Sequence, residues 1–257
     1  MQLFETIAMD ILSGQYQPGH ALPPERVLSQ QLGVGRPALR EALRRLESFG
    51  LVESRHGSGT RVLDWRNTGT VELLPYYLAA GAPGADASRI VRELLRLRIQ
   101  RCCDVVELAI KYGNDEAFAK AGQLVAETWA QREDPVAFAL ADFEVYRSLA
   151  QAADFPPAIW LLNTALEPYR LFLERFPGMV NVPPNYKDAM EALMTSIRAR
   201  NLDAAMSTLT RYLEDLDAAL LEQLGISRTG HDRQAVDDGG DPTSAGVPRN
   251  LDLGQKL

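Results

Sequence analysis

The sequence predicts a mainly α-helical protein, with a small winged helix-turn-helix domain in front and a larger all-α domain behind. Three observations carry that expectation. A helix, a glycine turn, a second helix and a glycine-tipped strand pair follow one another between Pro23 and Val62. Helical periodicity then continues, with no strand signal, from Val71 to Gly225. Finally, the arginines of the front part all lie between Arg26 and Arg61, although the whole chain has a net charge of -7.

The first helix is expected over residues 2–13, where Phe4, Ile7, Ala8, Ile11 and Leu12 form one stripe. Gly14 and Pro18-Gly19 end it, and His20 falls in a surface loop. Pro24 starts the next helix, with Val27, Leu28 and Leu32 facing inward. The turn Leu32-Gly33-Val34-Gly35 supplies glycine for the left-handed conformation of a sharp helix-helix corner. The following helix begins near Arg36, and Pro37 suits its first position because the missing N–H has no partner there anyway. Leu39, Ala42, Leu43 and Leu46 make its apolar face. Arg36, Ala38, Arg40, Glu41, Arg44 and Arg45 lie elsewhere on the wheel, so guanidinium groups stand clear of the core. A helix held this way fits the DNA major groove. Gly50 is placed to cap it. Two short strands are expected over residues 51–54 and 60–63. The tip between them, His56-Gly57-Ser58-Gly59, is suited to approach a phosphate or enter the minor groove.

Residues 1–63 therefore form the DNA-binding domain and 64–69 a linker containing Trp65. Residues 70–225 form the helical domain, and 226–257 a tail too polar and aperiodic to order itself. His231 lies in that tail and has no chemical role. Helices are expected over 71–79, 89–112 (with Ser88 as its cap), 115–131, 135–152, 156–175, 184–200 and 203–224. Pro168 should bend or interrupt the fifth of these.

Composition narrows the function classes. No apolar run is long enough to span a membrane, and the N-terminus lacks a signal peptide's basic start and apolar block, which points to the cytoplasm. Cys102 and Cys103 are adjacent on a helix and read as buried thiols of a reducing compartment rather than a redox or zinc site. The global acidity implies modest non-specific DNA affinity with a marked salt dependence carried by local arginines. An enzyme is disfavoured, because the helical domain holds no histidine, no nucleophile-base pair and no phosphate-binding fingerprint. No catalytic residue is assigned.

The run PPER followed by LSQQLGVGRPALREALRRLESFGLVESRHGSGTRV closely resembles the N-terminal domain of GntR-type bacterial transcription regulators. The resemblance implies DNA contacts by Arg26, Arg36, Arg40, His56 and Gly57 to Gly59, and the interface is completed by Pro37, Ala38, Arg45 and Ser58. Gly35, Pro37 and Ala38 depart from the polar residues often found there, so Ala38 offers apolar contact only, for example to a thymine methyl.

The helical part resembles the FadR-type C-terminal domain, which implies an antiparallel bundle around a cavity, a homodimer and a bound effector. Many members hold a metal with one Asp and three His. Here Asp142 matches the acid, whereas Tyr146, Met190 and Tyr212 stand at the histidine positions, a poor donor set for zinc, nickel or manganese. No metal or other cofactor is expected, and Asp142 then needs a hydrogen bond to a tyrosine or a surface position. LDWRNTGTVELLPYYLA, LLRLRIQ and DFEVYRSLAQAADFPPAIWLLNTALEPYRLFLERF resemble the metal-free branch that senses long-chain acyl-CoA. That resemblance implies a pocket of Arg98, Asp142, Phe143, Tyr146, Trp160, Tyr169, Met190, Tyr212 and Leu216. Arg98 would meet the ligand's polar end. A smaller organic acid bound through Arg98 is the alternative ligand, and Arg98 paired with Glu93 or Glu107 is the purely structural one.

Overall fold

The computed structural model describes residues 3–55, 59–80 and 85–227. The expectations for His56, Gly57, Ser58 and the tail beyond Ser227 lie outside these residues. The described chain forms two compact units that divide between Ala87 and Ser88, and each is mainly helical.

The first unit contains α1 (Leu3–Leu12), α2 (Glu25–Gln31), α3 (Arg36–Ser48), β1 (Val52–Arg55), β2 (Gly59–Val62), a one-turn α4 (Trp65–Thr68) and α5 (Leu74–Ala79). The stripe expected on α1 is buried residue for residue, and so are Leu39, Ala42, Leu43 and Leu46 of α3. At the α2–α3 corner only Gly33 needs the left-handed region, at φ +66°, while Gly35 is extended and serves as the N-cap of α3. The α3 C-terminus closes as a Schellman cap. Gly50 at φ +71° donates to the Glu47 carbonyl, and Leu51 donates to that of Leu46. β1 and β2 pair antiparallel with Val52 opposite Val62, one residue from the expected strand bounds. A third segment runs along β2's other edge, where Leu22 donates to Thr60 and Val62 donates to His20. His20 itself is exposed, as expected of a loop residue.

Residues 64–69, expected as a linker, hold the one-turn α4, and the helix expected over 71–79 follows them. A 3-10 turn (Val71–Leu73) leads into α5, which packs against α1. There Tyr76, Phe4 and Phe49 form an aromatic cluster, with Phe4 and Tyr76 centroids 5.1 Å apart. Trp65 packs on Tyr77 with ring centroids 5.1 Å apart.

The second unit is built from α6 (Ala85–Tyr112), α7 (Asp115–Ala130), α8 (Pro135–Ala152), α9 (Pro156–Arg175), α10 (Tyr186–Arg198) and α11 (Leu202–Gln223). Its core joins Val106, Phe118, Val125, Phe138, Leu149, Met190, Leu193 and Leu209, among others. Helix bounds follow the capping chemistry: Asn114, Asp134 and Asn201 each accept a backbone N–H of the first turn. Two expectations are corrected. α6 begins at Ala85, so Ser88 lies inside the helix rather than capping it. α9 runs on through Pro168 without interruption, losing one backbone bond but keeping the buried proline ring in the packing.

Candidate DNA-reading surface and polar centre

The buried stripe of α3 fixes which of its residues face outward. Arg36, Pro37, Ala38 and Arg40 are exposed, as is Arg26 of α2. Arg40 Nε donates to Glu25 Oε2 at 2.9 Å, with 61% of its side chain exposed. Arg44 pairs with Glu41, and Arg55 with Glu53, both also exposed. Acidic residues therefore accompany three of the arginines on this side. Such exposed pairs are weak and screened, so a DNA phosphate can displace the carboxylate. On the wing, Gly59 is exposed at φ +79°, and Arg55 and Arg61 add exposed cations to it. Neither Arg55 nor Arg61 was singled out from sequence, although both alternate outward from Val52 and Val62.

Arg45 requires a correction. It points inward, with its guanidinium 4.3 Å from the Phe4 ring centroid and Nη2 donating to the Tyr76 hydroxyl at 3.2 Å. It belongs to the aromatic cluster that ties α3 to α1 and α5. The helical wheel cannot reveal this, because the partner rings come from residues 4, 49 and 76.

In the second unit, several side chains expected at the ligand site do come together. Arg98 is within electrostatic reach of Tyr146 and Tyr169, and Asp142 within reach of Arg98, Tyr146 and Tyr212. Phe143 stacks on Tyr169 at 5.8 Å, and Met190 is fully buried in the same core as Tyr146 and Tyr212. Leu216 is half-buried. Trp160 departs from the expectation: it is 65% exposed, and its neighbour Leu161 is 60% exposed, because α9 packs on α8 through its other face.

Arg98 pairs with Asp217 of α11, not with Glu93 or Glu107. Glu93 instead meets Arg89 at 3.3 Å. Asp217 is only 7% exposed, yet its carboxyl pKa is raised, since burial outweighs the Arg98 charge that lowers it. The same carboxylate pushes the Arg98 pKa up against its burial. Sequence reading missed Asp217, but a signal existed: it stands in register with Ala205, Leu209, Leu213 and Leu221, an acid on an apolar stripe.

Asp142 resolves one open question. Its residue is half-buried with Oδ1 fully buried, and the Tyr186 hydroxyl is its hydrogen-bonding tyrosine, though without good geometry. Burial pushes its pKa up to about 6, while nearby Tyr186 and Arg98 moderate the rise. The hydroxyls of Tyr146 and Tyr186 are buried without good hydrogen-bond geometry as well. Tyr186, also missed, is a hub, with its ring 4.7 Å from Phe138 and 6.2 Å from both Trp129 and Tyr212. Burial raises the pKa of Tyr146, Tyr186 and Tyr212, so these phenols stay protonated. Cys102 is likewise pushed up to about 12 by burial, which removes it as a nucleophile.

One carboxyl, protonated phenols and the Met190 thioether do not fit a hard divalent ion. Among the described residues no group of three or more His, Cys, Asp or Glu is arranged to hold one. No described helix is long and apolar enough to cross a membrane.

Comparison with known proteins places these two units. Residues 1–62 match the family model described as bacterial regulatory proteins, gntR family, and residues 93–215 match the FCD domain. The HTH-type transcriptional regulator Mce2R of Mycobacterium tuberculosis is 42% identical over 135 residues, 52% of this chain and 55% of that protein. A fatty acid metabolism regulator protein of Serratia proteamaculans is 30% identical over 152 residues, 59% of this chain and 61% of that protein. The match thus spans little more than half the length of these curated relatives. A solved structure titled for Lar, which controls the Listeria monocytogenes agr system, shares the fold with a TM-score of 0.56. It is 15% identical and covers 85% of this chain and 94% of its own.

Proposed function

We propose that this chain is a GntR-type transcriptional regulator whose FCD-type helical part answers to a long-chain acyl-CoA. It binds an inverted-repeat operator as a homodimer in the cytoplasm and controls fatty acid metabolism.

The observation that carries the DNA-binding part is the split of α3. Its apolar stripe is wholly buried, while Arg36, Pro37, Ala38 and Arg40 are left exposed at its N-terminal end. A helix presented by its start suits major-groove reading. Arg26 and the wing cations Arg55 and Arg61 supply phosphate contacts. Dimerisation is supported by Trp160 and Leu161 of α9, large apolar side chains left exposed among the described residues.

The acyl-CoA reading is supported by relatives named for fatty acid metabolism and by Arg98 at the bundle's polar centre, beside aromatic residues that suit an alkyl chain. Binding is metal-independent in this reading. A smaller organic acid is the second reading, favoured by the buried Tyr146 hydroxyl, which has no hydrogen bond and lies near Arg98 and Asp142. In either case the effector acts as a switch only if it binds the DNA-free arrangement more tightly than the DNA-bound one.

Fluorescence anisotropy on DNA upstream of the protein's own gene, titrated with palmitoyl-CoA, palmitate and a small dicarboxylate, tests both readings. Release by palmitoyl-CoA alone supports the first. Release by the dicarboxylate alone replaces it with the second.

A further inference from the structure

Three side-chain links join α6, in antiparallel order, to α11 and the residues just after it. Arg92 donates to the Ser227 carbonyl at 3.3 Å, and Cys103 Sγ meets Thr210 Oγ1 at 3.7 Å. Arg98 and Asp217 lie between them and form the one link of this set that joins two full charges. Asp217 is buried, and so is the Nε–H of Arg98, which finds no acceptor. The guanidinium is thus incompletely matched by its own carboxylate. Its planar fork accepts two oxygens of a carboxylate or phosphate side by side. The Asp142 carboxyl and the buried Tyr146 hydroxyl, which has no hydrogen bond, lie within electrostatic reach of the same guanidinium.

We infer that Asp217 is a built-in competitor for the effector: it holds Arg98 in the effector-free protein, and an anionic oxygen group of the effector binds by taking its place. This rests on the proposal that the bundle is the effector-binding part. The guanidinium stays paired throughout, so affinity is set by the difference between two carboxylate-like partners rather than by the full strength of one. Once displaced, Asp217 no longer ties α11 to α6, and the seam loses its charged link. A neutral ligand has nothing to exchange and leaves the link intact. The anionic group can be the carboxylate of a fatty acid or a phosphate of CoA.

The test compares the full chain with its Asp217→Asn variant, which keeps the side chain's shape and an acceptor oxygen but not the charge. Thermal unfolding in acetate and in inorganic phosphate, against chloride at equal ionic strength, probes the competition alone. Calorimetric titration with palmitoyl-CoA, CoA and palmitate then separates phosphate from carboxylate as the source. The variant is expected to gain several degrees in acetate or phosphate where the wild type, whose Asp217 must first be displaced, gains far less. It should also bind the active acyl probe about tenfold more tightly, because the internal rival has lost its charge. Equal responses from two folded proteins overturn the inference. Stabilisation of the variant by acetate or phosphate, with no binding of any acyl probe, keeps the competitor and removes the acyl effector. Should Asp217→Asn fail to fold, the Arg98 Nε–H resonance of the wild type decides. It is assigned by its loss in the charge-free double variant Arg98→Gln/Asp217→Asn, and it must shift on titration with acetate or phosphate; an unmoved resonance overturns the inference.

Discussion

Arg36 and Arg45 show how little a helical wheel says about a single arginine. Arg36 is exposed at the start of α3, whereas Arg45 lies over Phe4 and bonds Tyr76. Arg36→Ala should cost about 1–3 kcal/mol in operator binding if it reads a base, or lower the salt slope by about one if it meets a phosphate. Anisotropy at several salt concentrations tells these apart, and undiminished binding would remove α3 as the reading helix. Arg45→Ala should instead cost about 1–2 kcal/mol of stability through the lost ring and hydroxyl contacts, measured by denaturant unfolding, with the salt slope of DNA binding unchanged. Asp142 supplies a pH signature. Its folded pKa of about 6 exceeds the ordinary carboxyl value of 3.8, so the neutral acid is favoured in the native state. Its contribution is fully present below the unfolded pKa and is lost as pH rises through about 6. Asp142→Asn should therefore raise the thermal midpoint at pH 8, and the gain should vanish near pH 4.

At the scale of elements, the α3–β1 corner is the tightest joint. A Cβ on Gly50 would lie 1.9 Å from the Thr68 carbonyl oxygen, and the residue already sits at φ +71°. Thr68 Oγ1 in turn donates to the Gly50 carbonyl at 2.7 Å. Gly50→Ala should cost about 2 kcal/mol or more, seen as a lower unfolding midpoint of the full chain. Gly33, also left-handed, has open space around its Cβ position, so Gly33→Asn should be far milder. Most helix bounds were legible because caps and apolar stripes are local signals. The start of α6 was not, since Ser88 has the chemistry of a cap and nothing nearby rules it in or out. Pro168 misled for a related reason. Its penalty is local, while the packing that keeps α9 continuous is not.

For the whole molecule, the exposed apolar side chains of α9 set the prediction. Trp160→Asp together with Leu161→Asp should leave each chain folded yet shift the assembly toward monomer in sedimentation, and weaken operator binding with it. An unchanged assembly would exclude this face as the contact of the proposed dimer. Sequence by itself determined the winged helix-turn-helix followed by an all-helical part, and the buried stripe of α3. These follow from periodicity, glycine placement and residue chemistry, all carried within short stretches. Only the tertiary structure decided which arginines are free and which are spent on packing. It also decided that Arg98 answers to Asp217 across 119 positions of chain, and that Trp160 faces outward. Those outcomes depend on which helices meet, and helix pairing is settled by burial summed over the whole bundle rather than by any segment within it.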